Sequence, residues 1–566
     1  MEYKSEIKQC QNCKKDFTIE PEDFNFYEKI KVPPPTFCPE CRFQKRIMFR
    51  NEIVFYKRQC DLCRKSIITI FSPEKKYKVF CSKCWWGDDW DPGKYYLDYD
   101  PNKNFFEQFL ELQKKTPFME KVVDFPTLVN CEYVNHTGNA KNCYLIFNAD
   151  FCENVFYSST LDHVKDSADC LMMNKTELSY ECIGGDGSGV YFSENCPESI
   201  NVWYSKDCNG CHDCFGCVNL RHQRYCIFNQ PFSKEEYQEK IKKMELDKYS
   251  SHQKIQEKIY DFWNKFPRKF MYGRMNKNSS GDYVYNSKNA QNCYQAVSVE
   301  DGSYSQLITM PTFKDSYDIT EFGDGVEHSV DSITVGYGVY GLKYCSVVFR
   351  NSRDVEYSMY GISLKNCFGC LNLKNKEYCI LNKQYSKEEY EKLRELIIKN
   401  MEEKPYIDKF KRIWKYGDFF PYNLSLFSYN ESFANLYFPL NKEQIEKQGF
   451  HYLNSKKTNY QKTIELSDIP DSINHINDDF IKQVIQCNCG KFYRIAKGEL
   501  SLLKRFILPI PRFCPDCRYM RRVRRLNPPK LFDRKCDKCG IEIKTPYAPD
   551  RPEIIYCERC YQNEVY

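Results

Sequence analysis

Sixteen of the 32 cysteines in this 566-residue chain fall into eight close pairs whose spacing suits a metal framework. The intervals between Cys10/Cys13, Cys38/Cys41, Cys60/Cys63 and Cys81/Cys84 are 24, 18 and 17. Cys487/Cys489, Cys514/Cys517, Cys536/Cys539 and Cys557/Cys560 repeat the same 24, 18 and 17, and seven of the eight cysteines map across at an offset of 476. Two thiolates two residues apart grip one ion, and a second such pair completes a closed tetrahedral shell of the structural zinc type. The expectation is four structural Zn2+ ions, with ligands paired in sequence order; spacing alone leaves a cross-braced pairing open. Cys487-Asn488-Cys489 is one residue short of the other pairs, which puts ordinary geometry at that site in question.

Short elements must hold these ligands. Cys38-Pro39-Glu40-Cys41 runs into a helical stretch from Phe43 to Asn51, so the last two ligands of the first site sit at a helix start, as in a treble-clef finger. Arg42, Lys45, Arg46 and Phe49 share a face of that helix, read as a solvated face over a small core rather than a phosphate contact.

These residues carry a resemblance. Cys10-x2-Cys13, Phe17, Phe26-Tyr27-Glu28-Lys29, Pro35 and Cys38-Pro39-Glu40-Cys41-Arg42 resemble the bacterial "probable zinc-binding" ribbon domain, over about 40 residues per copy. The layout also resembles large zinc-ribbon proteins of candidate-phyla bacteria. It has Cys60-Asp61-Leu62-Cys63 and Cys84-Trp85-Trp86 at one end. At the other stand Tyr547-Ala548-Pro549-Asp550-Arg551-Pro552-Glu553 and Cys557-Glu558-Arg559-Cys560-Tyr561. The resemblance implies zinc-ribbon modules and brings no established activity.

The bulk composition, 42% hydrophobic and 28% charged, is that of a globular, multi-domain protein. No apolar run approaches the ~18 residues of a membrane span, and the start lacks the apolar core of a signal peptide. A cytoplasmic protein with no membrane partner is expected, and in a reducing compartment CxxC pairs are metal ligands before they are disulfides. The formal charge of +6 falls to about −2 if sixteen thiolates hold four zinc ions.

Eight segments follow: a double four-cysteine module (1–90), an acidic, aromatic linker and helix (91–127), a first β-repeat unit (128–230), a helical segment (231–270), a second β-repeat unit (271–383), a second helical segment (384–415), an irregular aromatic strap (416–484) and a basic double four-cysteine module (485–566). In the repeat units, apolar bursts such as Tyr144-Leu145-Ile146-Phe147 and Val190-Tyr191-Phe192-Ser193 recur roughly every 9 to 15 residues, with turn residues between them. They read as a β-solenoid with rungs of roughly 20 to 25 residues, a curled antiparallel sheet being the alternative. The units are duplicates: Cys214-Phe215-Gly216-Cys217 recurs as Cys367-Phe368-Gly369-Cys370. After each unit, a Ser-Lys-Glu-Glu capping box opens a helix, expected over about 233–265 and 386–415. The fold class is thus mainly β with α, two double zinc-finger modules flanking a duplicated solenoid-like body.

Cys208, Cys211, Cys214 and Cys217 form three consecutive CxxC spacings, a candidate extra metal or iron–sulfur site. The plainer reading is a ladder of inward-facing small residues, because the second unit has Gly361 and Leu364 at the first two positions. Asp186 and Asp324, each beside glycine, are the best catalytic carboxylates the repeats offer. Gly-Asp-Gly is more often a turn, no nucleophile, phosphate or dinucleotide motif is present, and a non-catalytic protein is expected.

The second finger module carries 18 Lys and Arg against 9 Asp and Glu, and two four-thiolate sites would lower its charge from +9 to +5. Arg518, Arg521, Arg522, Arg524 and Arg525 follow its ligand Cys517 directly, beside Tyr519. Clustered arginine suits RNA or a ribonucleoprotein, the alternative being internal pairing with acidic segments. The function expected is a zinc-binding scaffold contacting RNA through this module. The alternative is a protein-interaction module using the β-repeat face, with an iron–sulfur or enzymatic role behind both.

Overall fold

The computed structural model describes residues 3–454 and 460–565. Its body is two β-solenoids whose rungs are about half the expected length. Parallel register pairs Tyr144 with Phe156, Ser159 with Leu171, Ile200 with His212 and His212 with Arg224, a step of 12 each time. The second solenoid takes the same step from Gly281 to Cys293 and from Lys365 to Glu377, with steps of 13 between Tyr317 and Val330 and between Ser346 and Met359. The longer estimate counted two turns as one, because short bursts on adjacent rungs look alike in sequence.

A period of three generates the rung. From His136 through Asn139, Asn142 and Leu145 to Glu181, every third residue has a positive φ between 44° and 59°. Each such residue turns the extended chain, so four turns close a rung of four short sides. Asn and Asp tolerate this left-handed region best, while Leu145 and Phe151 adopt it under the constraint of neighbouring rungs. The residue after each corner points inward, which stacks Cys143, Ile146, Ala149, Cys152 and Val155 into a narrow apolar interior. Inward serines serve the ladder: Ser158 Oγ donates to Phe156 O at 2.8 Å and accepts from Cys170 N at 2.9 Å, joining adjacent rungs.

Each solenoid ends in an antiparallel turn, Cys226 with Pro231 and Cys379 with Gln384. A helix follows, capped by Ser233 or Ser386 with a complete capping box. The helices are Lys234–Lys242, Tyr249–Trp263 and Lys387–Glu403, so the second segment ends well before Trp414, which lies in a strand instead. His252 is buried, its Nε2 donating to Leu246 O at 2.7 Å and its Nδ1 meeting the Tyr204 hydroxyl. Burial pulls its pKa from 6.5 down to about 4. Between those values the unfolded chain binds a proton that the folded chain refuses. Stability should therefore fall by up to about 3 kcal/mol as pH drops from 6.5 to about 4. Urea unfolding at several pH values checks this, and His252→Gln should lose that part of the slope.

The terminal modules dock crosswise. The helix Pro39–Ile47 lies on the second solenoid, whereas Pro515–Val523, at the matching position in the other module, lies on the first. The outer fingers follow the same rule. Val79–Phe80 pairs with Phe118–Met119, the approach to the first solenoid, while Asn372 of the second solenoid donates to Pro117 O at 2.7 Å. In the mirror arrangement Ile555–Tyr556 pairs with Arg268–Lys269, and Asn219 of the first solenoid donates to Pro267 O at 2.9 Å. Each outer finger thus joins the entrance of one solenoid to the exit of the other. The aromatic strap seals the amino-terminal junction: Phe419 and Phe420 stack around Phe49 at 5.0 and 5.8 Å, and Trp414 meets Phe37 at 5.8 Å. Among the described residues no helix is long and apolar enough to cross a membrane.

Candidate metal centres and the cleft between the solenoids

The sixteen paired cysteines converge in four tetrads: Cys10/Cys13/Cys38/Cys41, Cys60/Cys63/Cys81/Cys84, Cys487/Cys489/Cys514/Cys517 and Cys536/Cys539/Cys557/Cys560. The pairing is sequential, and the cross-braced alternative is excluded. Within every tetrad the sulfurs lie within 4.8 Å of one another. Cys13 and Cys38 are 3.7 Å apart, Cys63 and Cys81 3.8 Å, Cys489 and Cys514 3.7 Å, and Cys539 and Cys557 3.8 Å. Sulfurs placed about 2.3 Å from a tetrahedral centre are separated by about 3.8 Å, so the cages fit an ion of zinc's size.

Backbone donors orient the sulfurs. Cys38 N donates to Cys10 Sγ at 3.3 Å, Cys81 N to Cys60 Sγ at 3.2 Å, Cys514 N to Cys487 Sγ at 3.4 Å and Cys557 N to Cys536 Sγ at 3.3 Å. Burial opposes ionisation of Cys487, yet the N–H groups of Cys489 and Cys514 bring its pKa down to about 7. Its short knuckle closes normally. Gly490, with a φ of 86°, takes the left-handed turn that Lys14 makes in the other module, and Cys487 Sγ reaches Cys517 Sγ at 3.8 Å.

Several of the arginines beside these cages are interior residues. Arg518 Nη1 and Arg522 Nη1 each meet an Asp169 carboxylate oxygen at 2.7 Å, and Arg518 also reaches Glu499 at 2.9 Å. Arg518, Arg522 and Asp169 are 2%, 0% and 0% exposed, which removes them from any RNA surface. Arg525 donates to Glu194 at 2.6 Å, and Arg521 stacks over Phe513 at 4.7 Å. Of the five candidate nucleic-acid contacts only Arg524 is exposed. The other module repeats the device: Arg42 and Arg46 bind Asp318 at 2.9 and 3.0 Å, and Arg46 binds Asp331 at 2.9 Å. Its arginine face, read from sequence as solvated, is buried as well. Asp169 and Asp318, at positive-φ corners of the two solenoids, were missed by the sequence reading. The signal that could have found them is the offset of 476, which carries Arg42 to Arg518 and Arg46 to Arg522. A pair kept in both the basic and the near-neutral copy suits a shared docking role.

Cys208, Cys211, Cys214 and Cys217 occupy the four inward positions of one rung. Their thiols donate to the carbonyls of Lys206, Asn209, His212 and Phe215, two residues back in each case, at 3.4 to 3.5 Å. They are not among the sets of ligand atoms within 4.8 Å of one another in the described residues. CxxC here is the solenoid's period of three, and the ladder accounts for it. All sixteen solenoid cysteines are buried, and burial pushes Cys152, Cys293 and Cys345 up to about 12. Under native conditions these thiols should resist a thiol reagent and become reactive only on unfolding. Iron or labile sulfide in anaerobically purified protein would contradict the ladder.

Facing sides of the two solenoids enclose a cleft of about 1290 Å³. Asn195 Nδ2 donates to the Tyr283 hydroxyl at 3.2 Å and the Tyr272 hydroxyl donates to Asp207 at 3.0 Å, bridging the solenoids at one side. Elsewhere Arg50 of the amino-terminal module spans the gap, donating to His136 Nδ1 at 3.1 Å on the first solenoid and to Thr334 at 2.9 Å on the second, where it also pairs with Glu321. Asp186 lines the cleft. Asp324 stands near the same opening, since its charge acts on the lining residue Tyr337.

No family model and no curated protein matches the chain. Among solved structures, a "putative acetyltransferase from Desulfovibrio desulfuricans G20" aligns over 50% of this chain and 84% of its own, at 9% identity and a TM-score of 0.11. A likeness at that score carries no argument about fold or activity.

Proposed function

We propose that the protein is a non-catalytic, zinc-stabilised binding scaffold. Four structural zinc ions rigidify the terminal modules, the modules clamp the solenoids face to face, and the cleft between them is the contact surface for a partner. The observation that carries this reading is the crosswise docking through Asp169 and Asp318, which gives each metal-held helix a load to position. Closed tetrathiolate shells leave no position for substrate, which favours a structural role for the metal. The sixteen ladder thiols suit a reducing, cytoplasmic setting. Contact with RNA through the basic module rests on little, with Arg518 and Arg522 engaged by Asp169.

Metal analysis of protein purified without added zinc tests the reading. About four zinc per chain is expected, whereas metal-free protein whose terminal modules stay folded, or protein loaded with iron, would defeat it. Co-purifying nucleic acid lost on Arg524→Glu would instead favour the RNA reading.

A further inference from the structure

Residues just ahead of one corner column of the first solenoid place a line of carboxylates on one wall of the cleft. Asp150, Asp162, Asn174 and Asp186 follow one another at the rung step, so their side chains repeat about every 4.8 Å. Asp150 accepts from Asn139 at 2.9 Å and Asp186 from the Glu198 backbone at 2.8 Å, both neutral donors. Among the described residues neither these three aspartates nor Asp124 and Asp324 form an ion pair with lysine or arginine, although such pairs abound elsewhere in the molecule; Asp162 meets His163 Nδ1 at 2.9 Å.

The opposite wall is aromatic. Phe322, Tyr337 and Phe349 cluster with ring centroids 5.0 to 6.1 Å apart, and Tyr337 is 47% exposed. Burial raises the Tyr337 phenol's pKa, and the charges of Asp150, Asp124 and Asp324 add to that rise; Asp124 and Asp150 line the cleft with this open ring. Exposed Arg350 is the cation that offsets them there. Carboxylates beside an accessible aromatic face form a receptor for an ammonium or guanidinium group, which gains from both the charges and the ring.

We propose that the cleft takes an extended polypeptide segment bearing lysine or arginine. Its cationic groups lie along the Asp150–Asp162–Asp186 column and against Tyr337, and its apolar side chains meet the aromatic wall. This rests on the scaffold reading and names its partner class. The rungs from His136 to Gly184 extend about 19 Å, a length that about six extended residues span. Arg350, exposed at the lip, repels a ligand cation and so weakens its binding there.

The test is fluorescence anisotropy of zinc-loaded full chain with a labelled eight-residue peptide alternating lysine and leucine. The peptide should bind, and raising salt from about 50 mM to about 500 mM should weaken it. The variant D150N/D162N/D186N should lose about tenfold or more in affinity, and Arg350→Ala should gain about threefold. Unchanged affinity in the triple variant, equal binding of the peptide with glutamate in place of lysine, or occupancy only by cellohexaose or oligouridylate would overturn the proposal. Absent peptide binding with four zinc retained sinks the ligand class and leaves the scaffold standing; zinc-free protein with folded terminal modules sinks the scaffold itself.

Discussion

Stripping metal from the four thiolate cages should melt both terminal modules while leaving the solenoids folded. Each module is a set of short strands, none longer than Glu6–Gln9, and short helices, none longer than Lys497–Phe506, gathered around its ligands. Cys38 and Cys514 are themselves the residues that start the docking helices. Without the ion the four thiols of each cage lose the bond that gathers them, and structural zinc sites contribute on the order of 10 kcal/mol each. The solenoids need no such support, since their backbone ladders and interiors are continuous from rung to rung. Limited proteolysis after chelation should therefore cut within 3–90 and 485–565 and leave the repeat body intact, with the cleft's tie through Arg50 broken. An unchanged digestion pattern in metal-free protein would contradict this.

Changing Asp169 to alanine should destabilise the fold by about 3–5 kcal/mol, the cost of leaving buried Arg522 with the neutral Tyr157 carbonyl and Arg518 with Glu499. Asp169 is fully buried and serves two guanidinium groups, whose Arg518 Nε and Nη2 and Arg522 Nε already lack an acceptor. Asp318→Ala should cost less. Arg46 keeps Asp331, Gln306 and Thr320, although among the described residues Arg42 keeps only the Phe37 carbonyl as an acceptor. Urea midpoints of the two variants give the comparison. Replacing the whole cluster, Asp169→Leu with Arg518→Met, Arg522→Met and Glu499→Gln, should recover most of the loss, because neutral side chains avoid the desolvation of all four charges. If Asp169→Ala unfolds like the parent protein, the carboxylate is not what holds the carboxy-terminal module.

The salt clusters show what charge counting leaves out. A stretch with Arg518, Arg521, Arg522, Arg524 and Arg525 looks like a polyanion contact because composition records charge and not its partner. The partners stand far earlier in the chain, Asp169 by 353 positions from Arg522 and Glu194 by 331 from Arg525, and nothing in local sequence connects them. The run Cys208 to Cys217 offered a metal site beside the ladder that was the plainer reading, and the structure shows the ladder. Its spacing matched a ligand motif because the solenoid's own period is three.

The metal cages, the duplication and the β-solenoid class were all legible from the chain because each depends on short-range spacing. A knuckle is set by two intervening residues, a capping box by three, and a repeat by its own recurrence. Even the short Cys487/Cys489 knuckle needed only Gly490 to close. The remaining features arise from assembly. Crosswise docking reverses the order in which the modules meet the solenoids, burying Arg518 and Arg522 of the basic helix and the arginine face of its counterpart. It also brings Asp150 and Asp324, on different solenoids, to one aromatic lip. Such pairings come from the packing of whole rungs and helices, where burial energy far exceeds any local preference, so no window of the sequence contains them.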